Sequence, residues 1–335
     1  MADAQATPAP KRILLLGATG TIGRAVAATL VRRGYNTVCF IRQNPPGGGD
    51  NAGGSAPLHG ADIRYGDVTD PKSIIGDALR GETFDVLISC LASRDGNPAD
   101  AWKVDYRAHV DILSAAQSAG VPQFILLSAL CVQKPQLEFQ RAKLAFEKAL
   151  VDSGLIYSII RPTAFFKSLS GQVERIKKGK PFLVFGTGEL TACKPISDAD
   201  LAEYMADCIE RHDRHNRILP IGGPGNAITP KQQGDMLFTL LGKTPRFRHV
   251  PVKFLDAVIL GLTMCGWLFP AAARKAGLAR IGRYYATESM LVIDPQTGAC
   301  NADATPSTGT DTLHQHYQRM IGENLAADLG QHAVF

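Results

Sequence analysis

Apolar residues fall in short unbroken runs through the first half of the chain, and between the runs they recur with a helical stripe. The runs Arg12–Leu16, Thr37–Ile41, Ile63–Gly66, Phe84–Leu91, Phe124–Ser128 and Tyr157–Arg161 predict strands buried on both faces. The intervening segments Thr21–Arg33, with Ile22, Val26 and Leu30 on one stripe, Pro71–Leu79, Ala101–Ala119 and Glu138–Ser153 predict helices. Strands and helices alternating at this spacing predict an α/β fold, a Rossmann-type doubly wound parallel sheet.

After Pro162 the rhythm loosens. Phe182–Phe185 and Ile218–Ile221 predict short strands, Ser197 with Asp200 a capped helix start, and Thr229-Pro230 another. The glycine-, proline- and asparagine-rich stretch Asn44–Gly60 predicts a mobile loop. From Gly282 onward no period stands out. The expected division is a dinucleotide-binding domain over residues 1–162 and a smaller substrate lobe over 163–335, with some of its elements returning to the sheet. At 335 residues the chain exceeds what one ordinary core holds.

Composition narrows the function. A hydrophobic share of 45% and a net charge of +5 describe an ordinary globular protein and argue against a nucleic-acid partner. Seven cysteines, none in a C-x-x-C spacing, suggest no disulfide framework, iron–sulfur cluster or zinc site, and so a reducing, cytoplasmic home. Met1–Pro10 reads as neither a signal nor a transit peptide. The longest uncharged apolar run, Ala257–Pro270, is 14 residues and too short for a transmembrane helix. His212 and His215 lie in a charged surface run, so no metal site is expected.

The chemistry begins at Gly17-Ala18-Thr19-Gly20-Thr21-Ile22-Gly23, between the first strand and the first helix. One glycine permits the tight turn, another admits the pyrophosphate, and the third lets helix and strand approach. The helix N-terminus then offers N–H groups and partial positive charge to phosphate. At the end of the second strand stands Arg42, where an acidic residue would hold the ribose hydroxyl of NAD. A guanidinium there suits the 2′-phosphate of NADPH, with Arg24 a candidate helper. Asp67 is placed to meet the adenine amino group, and Cys90-Leu91-Ala92 to pass the adenine ribose. Plainer roles exist for each: a surface arginine, a helix cap (for which Asp70 is the better candidate), and sheet core.

Gly17–Gly23, Asp67, Ser128 and Lys143 together resemble the extended and atypical short-chain dehydrogenase/reductases. That family's pattern places a proton-donating tyrosine four residues before the lysine. Here the position is Phe139, which donates no proton, while Lys143 remains to bind the nicotinamide ribose. A closer resemblance covers nearly the whole chain. Lys11–Arg33, Leu87–Leu91, Val104–Tyr106, Gln140–Leu150, Ile159–Ser168, Arg280–Met290 and Ala302–Ser307 look like NADPH-dependent divinyl chlorophyllide 8-vinyl reductases, the last two stretches most specifically. The resemblance implies hydride transfer from NADPH to the vinyl group of a magnesium tetrapyrrole, divinyl chlorophyllide or protochlorophyllide, in chlorophyll or bacteriochlorophyll biosynthesis. It also accounts for Phe139, because charge developed on a conjugated macrocycle needs no phenol to protonate an alkoxide. A ferredoxin-using class of this reductase carries iron–sulfur clusters, which the scattered cysteines do not support.

A flat apolar substrate calls for an apolar cleft with a few polar anchors. Phe139, Phe165, Phe166, Trp267, Phe269, Tyr284 and Tyr285 are candidate walls, and Arg283 a candidate anchor for a propionate. Arg274, Lys275, Arg280 and Arg283 follow the apolar run, and peripheral contact with an anionic, photosynthetic membrane is one reading of that pairing. The plainer one is a buried helix followed by a solvated one. Two other functions fit the first half of the chain: an isoflavone-reductase-like or quinone-linked reductase, and an NADPH-binding regulator or assembly factor without turnover.

Overall fold

In the computed structural model, residues 9–43, 58–93 and 96–323 are described. The body is a seven-stranded parallel sheet with the order β3-β2-β1-β4-β5-β6-β8. Its strands are β1 (Arg12–Leu16), β2 (Asn36–Ile41), β3 (Asp62–Tyr65), β4 (Val86–Ser89), β5 (Gln123–Leu127), β6 (Ile156–Pro162) and β8 (Arg217–Ile221). Every predicted strand of the first half is present, shifted by a residue or two at its ends. β8 comes from beyond residue 163 and pairs with β6 through Ile160↔Leu219.

The unbroken apolar runs have a simple cause. Along β1, Ile13 and Leu15 enter the core beneath the first helix, Thr21–Arg32, and the helix Asp198–Asp207. Leu14 and Leu16 enter the opposite core with Phe124, Phe146 and Leu150. Both faces of the strand are buried, so the alternation of a one-sided strand is absent. Leaving β1, the chain winds to β2 and β3, then returns to β4 on the other side of β1. The switch point therefore lies between the carboxyl ends of β1 and β4, where open α/β sheets form their crevice.

Several boundaries depart from the sequence reading. The helix expected from Ala101 starts at Pro98, where the Asn97 side chain accepts from the Ala99 N–H at 2.9 Å. It then passes through a π-helical turn, Trp102–Ala108, before the regular helix His109–Ser118. Ser197 caps its helix by accepting from the Asp200 N–H at 3.0 Å. The Asp200 carboxylate does not complete a capping box; it accepts instead from the Asp311 N–H at 3.0 Å, tying the chain's last third to this helix. Asp70 caps the segment from Pro71, accepting from the Lys72 N–H at 2.9 Å. Of the expected mobile loop, residues 44–57 lie outside the described residues.

The second lobe has its own core of Phe166, Val173, Ile176, Phe182, Leu237 and Tyr317. Here β7 (Phe182–Phe185) pairs in parallel with β9 (Phe247–Val250), a strand the sequence did not announce. Where no period was found, the described residues from Gly282 to Glu323 form regular elements, and residues 324–335 lie outside the described residues. The helix Pro270–Thr287 runs into this stretch, and β10 (Val292–Ile293) pairs with β11 (Cys300–Asn301). The helix Leu313–Gly322 then buries Leu313, Tyr317 and Met320. Those three stand at i, i+4 and i+7 among polar residues, a stripe too thin to read unaided. The apolar run Ala257–Pro270 is not a buried helix: none of the residues of Val252–Gly266 is buried.

Candidate active site

β1 ends at the glycine-rich turn, and two of its glycines are sterically required. Gly17 has φ of +79°, and a Cβ there would lie 2.7 Å from the Cys90 carbonyl carbon. That contact places the turn against the end of β4, at the switch point. A Cβ on Gly23 would come within 2.1 Å of the Gly17 carbonyl oxygen, so the first helix can start this close to the strand only with glycine there. Gly20 has room for a Cβ on the protein side, its nearest neighbour being the Gly17 oxygen at 3.5 Å. It is the N-cap residue and supplies no side-chain cap. The N–H groups of Thr21, Ile22 and Gly23 are thus left by the helix itself for an anion. A cradle that a Cβ would fill, at an uncapped helix start, fits a dinucleotide pyrophosphate.

Around this turn the other candidates take up distinct positions. Thr19 and Thr21 are half-buried at the helix entrance. Arg42 is exposed just past β2, on the same side as Asp67 just past β3, and its charge helps to stabilise the Asp67 carboxylate. The Thr69 N–H (2.8 Å) and hydroxyl (2.9 Å) both donate to Asp67, and these bonds hold its carboxyl below the usual carboxylate range. Cys90 and Leu91 are half-buried against Gly17, and Ala92 is exposed. One contributor was given no role from the sequence, although it lies in the stretch Ile159–Ser168 that carries the family resemblance. Lys167, from the second lobe, places its ammonium 3.0 Å from the Thr21 hydroxyl, at the first turn of the Thr21–Arg32 helix.

Lys143, on the helix Glu138–Val151, forms an ion pair with Asp105 at 3.0 Å. The Asp105 side chain is fully buried and also accepts from the Ser93 hydroxyl at 2.5 Å. Asp105 lies in the π-helical turn, whose wider winding is a device that recurs at functional sites. Beside the pair, His109 is buried between Ser89 and Val104. A carbonyl can only accept, so Nδ1 carries the proton and donates to Val104, and Nε2 accepts from the Ser89 hydroxyl, each at 2.8 Å. Burial, reinforced by the Lys143 charge, pushes the His109 pKa down to about 4. At neutral pH His109 is therefore a neutral imidazole beside the Lys143–Asp105 pair.

Ser128 does not face the cofactor crevice with its hydroxyl. It donates to Glu147, which also receives Arg161, in a buried clasp between β5, β6 and the Glu138–Val151 helix. Phe139 is half-buried in a cluster with Leu130, Cys131 and Tyr284. Tyr284 itself is buried, donating to the carbonyls of Cys131 (2.9 Å) and Lys134 (3.2 Å). Tyr285 is partly exposed and turns its hydroxyl to the Cys131 sulfur at 3.6 Å. Gln140 is completely buried behind Phe139; its Oε1 caps the helix start by accepting from Gln136 and Leu137, each at 2.8 Å. Its Nε2 has no partner among the described residues.

The remaining aromatic candidates divide. Phe165 is half-buried between the lobes, whereas Phe166 is packed inside the second lobe's core. Trp267 and Phe269 stand far out in solvent, and Arg283 pairs with Asp256 along the helical hairpin. The structure thus brings Gly17–Gly23, Arg42, Asp67, Cys90, Leu91, Lys143 and Phe139 to one edge of the sheet. It leaves Ser128, Phe166, Tyr284 and Arg283 in structural contacts. Asp105 and Lys167 lie in stretches that carry the family resemblance, Val104–Tyr106 and Ile159–Ser168, but were assigned no role there. Among the described residues no group of histidine, cysteine and acidic side chains could hold a metal.

Comparison with known proteins agrees with this geometry. The family model described as NAD(P)H-binding matches residues 17–212. A protein of Zea mays described as divinyl chlorophyllide a 8-vinyl-reductase, chloroplastic, is 49% identical over 331 residues, 96% of this chain and 82% of its own length. That compartment contrasts with the cytoplasmic home expected from composition. Among solved structures, an NADPH-dependent quinone oxidoreductase of Escherichia coli in complex with NADPH superposes with a TM-score of 0.65 at 21% identity, over 92% of this chain and 99% of that one. Leucoanthocyanidin reductase of Vitis vinifera with NADPH gives 0.63 at 16% identity, over 93% and 99%. The structural likenesses show the fold, shared with reductases of other substrates. The sequence likeness runs nearly end to end, and on it the chain belongs to the divinyl chlorophyllide a 8-vinyl-reductase family.

Proposed function

We propose that the chain reduces the 8-vinyl group of a divinyl chlorophyllide or protochlorophyllide to ethyl, with NADPH as the reductant, in chlorophyll or bacteriochlorophyll biosynthesis. The observation that carries this reading is the pairing of a complete dinucleotide turn and a buried Lys143–Asp105 pair with phenylalanine at position 139. A carbonyl reductase needs an acid at that position. A reductase of a conjugated vinyl group does not, because the charge that follows hydride arrival is spread over the macrocycle.

When bound, NADPH supplies the hydride, a proton completes the ethyl group, and NADP⁺ is left. The chain's own residues bind, orient and exclude water. The first turn of the Thr21–Arg32 helix receives the pyrophosphate, with Lys167 adding positive charge from the other lobe. Arg42 meets the 2′-phosphate and gives the preference for NADPH over NADH. Asp67 and Cys90–Leu91 border the adenosine. Lys143 donates to the nicotinamide ribose, its position fixed by Asp105, and Phe139 presents an apolar edge to the macrocycle. The division of labour, residues 1–162 for the cofactor and 163–335 mainly for the tetrapyrrole, is part of the proposal.

Incubation with NADPH and a divinyl tetrapyrrole tests it directly. Conversion to the monovinyl product shifts the substrate's absorption and consumes one NADPH per vinyl group. Binding of NADPH without that shift would favour a regulator or assembly factor, and turnover of quinones alone would favour a quinone-linked reductase.

A further inference from the structure

Among the described helices, the least covered is also the most apolar. Val252–Gly266 forms a helix with no buried residue, and Pro270–Thr287 returns beside it. Contacts at Gly266–Ala273, Thr263–Arg280 and Asp256–Arg283 make the two an antiparallel hairpin. A Cβ at Gly266 would sit 3.0 Å from the Ala273 backbone, so the helices approach closely near the turn. The base is fastened to the body. Gly277 lies against the Gly96 carbonyl, the Tyr284 hydroxyl donates to Cys131 and Lys134, and Glu288 pairs with Lys134 at 3.0 Å.

The far end is bare. Met264 is 70% exposed, Trp267 92%, Leu268 72% and Phe269 61%. No charged residue occurs from Ala257 to Phe269. Exposed apolar area so concentrated marks an interaction surface. Exposure is greatest at the tip, and Phe254 (59%) and Leu260 (63%) continue it back along the helix; the charges that flank the tip indicate what covers it. A second copy docked end to end would bring like charges together.

Those charges are Arg274 and Lys275, both exposed and without a partner among the described residues. They lie five and six residues past Phe269, about 7–9 Å along the helix at 1.5 Å per residue. That matches the depth of roughly 5–10 Å to which interfacial helices insert their apolar parts. Tryptophan favours that interface as well. Arg280 and Arg283, farther back, are held by Thr263 and Asp256 within the hairpin. No helix among the described residues is long and apolar enough to cross a membrane, so the contact is with one leaflet.

We propose that this hairpin docks the protein on an anionic lipid bilayer, with Trp267-Leu268-Phe269 among the acyl chains and Arg274 and Lys275 at the headgroup phosphates. The docking stands independently of the reaction assigned to the crevice, and the assay for it requires no substrate.

The full chain is floated with vesicles of phosphatidylcholine alone and with about 30 mol% phosphatidylglycerol. It should float with the anionic vesicles and detach at high salt. In a Trp102→Phe background, Trp267 emission should shift to the blue on binding. Replacing Trp267, Leu268 and Phe269 together with serine should abolish flotation while leaving the melting temperature unchanged, because these side chains are solvated in the free protein. Arg274→Gln with Lys275→Gln should weaken binding to anionic vesicles by about fivefold per residue. The fluorescence measurement keeps the tip intact, so it decides the matter should the triple variant fold poorly. Absence of flotation with anionic vesicles, equal binding to neutral ones, or no change in Trp267 emission would overturn the proposal. So would a dimer in solution that the triple serine variant splits while neither protein binds vesicles.

Discussion

Replacing Lys143 with methionine separates its structural duty from its catalytic one. The substitution keeps most of the side-chain volume and removes the ammonium that stands 3.0 Å from Asp105. The Asp105 side chain has no exposed surface, and the Ser93 hydroxyl at 2.5 Å becomes its chief remaining partner. Removing one member of a buried ion pair leaves an uncompensated charge, at a cost of about 3–5 kcal/mol. In a chain of this size that corresponds to roughly 6–10 °C of melting temperature, at about 2 °C per kcal/mol. Adding Asp105→Asn should then recover at least half of the loss, because an amide is far cheaper to bury than a lone carboxylate. Cofactor affinity should not recover. A charged hydrogen bond to the nicotinamide ribose is worth about 1.5–3 kcal/mol, so the NADPH KM of both variants should rise by tens-fold, with a smaller effect on kcat. Thermal melting and steady-state kinetics on wild type, both single variants and the double variant make the complete cycle. A stability loss under about 1 kcal/mol for Lys143→Met would refute the buried pair. A stability loss with an unchanged NADPH KM would remove Lys143 from the cofactor site while leaving the pair in place.

The two other basic residues at the crevice should behave differently from each other. Arg42→Ala should raise the NADPH KM and leave that of NADH nearly unchanged, since only NADPH carries the 2′-phosphate; an unaltered ratio would take Arg42 out of the site. Lys167→Ala should raise both KM values alike, because the pyrophosphate beside Thr21 is common to both cofactors, and a selective effect would show that Lys167 meets something else. Phe139→Tyr should bring no large rate gain, and a hydroxyl among Leu130, Cys131 and Tyr284 should cost some stability; a tenfold rise in kcat would mean that an acid is missing there. His109 has its pKa lowered from 6.5 to about 4, chiefly by burial, so the unfolded chain binds the extra proton between those values. Its contribution is complete above about pH 6.5 and is lost as pH falls towards 4, so the melting temperature of wild type should drop through this window more steeply than that of His109→Gln. Parallel curves would show that His109 is not the group that titrates.

What could be read from the chain follows the range of the interactions involved. The sheet was legible because each strand is covered on both faces, which forces unbroken runs such as Ile13-Leu14-Leu15-Leu16, with alternate residues entering opposite cores. The phosphate turn was legible because its requirement is local: Gly17 must take a positive φ, and Gly23 must lie against the Gly17 carbonyl six residues earlier. Arg42 could be singled out because its position is counted from the end of a strand, and Lys143 because its place matches the pattern of the family the chain resembles.

Contacts between distant segments were beyond that reading. Asp105 looks like any acidic residue of an amphipathic helix, and only the π-helical turn and the packing of two helices turn it onto Lys143. Lys167 reaches Thr21 across 146 positions, and no spacing rule connects them. Ser128 stood at the expected place in the chain, but Glu147, itself paired with Arg161, accepts from its hydroxyl. The thin stripe of Leu313, Tyr317 and Met320 has meaning only against the second lobe's core. The run Ala257–Pro270 shows the limit most clearly. Its composition establishes that it avoids water, but burial depends on what the rest of the chain folds against it, and the fold leaves it uncovered. Sequence by itself determined the sheet and its glycine-rich turn, because these depend on local backbone geometry and on side chains counted along single elements, and it pointed to the family's chemistry only through resemblance. The tertiary structure alone decided which charges meet in the crevice and which apolar surface stays exposed, because both depend on elements that only folding brings together.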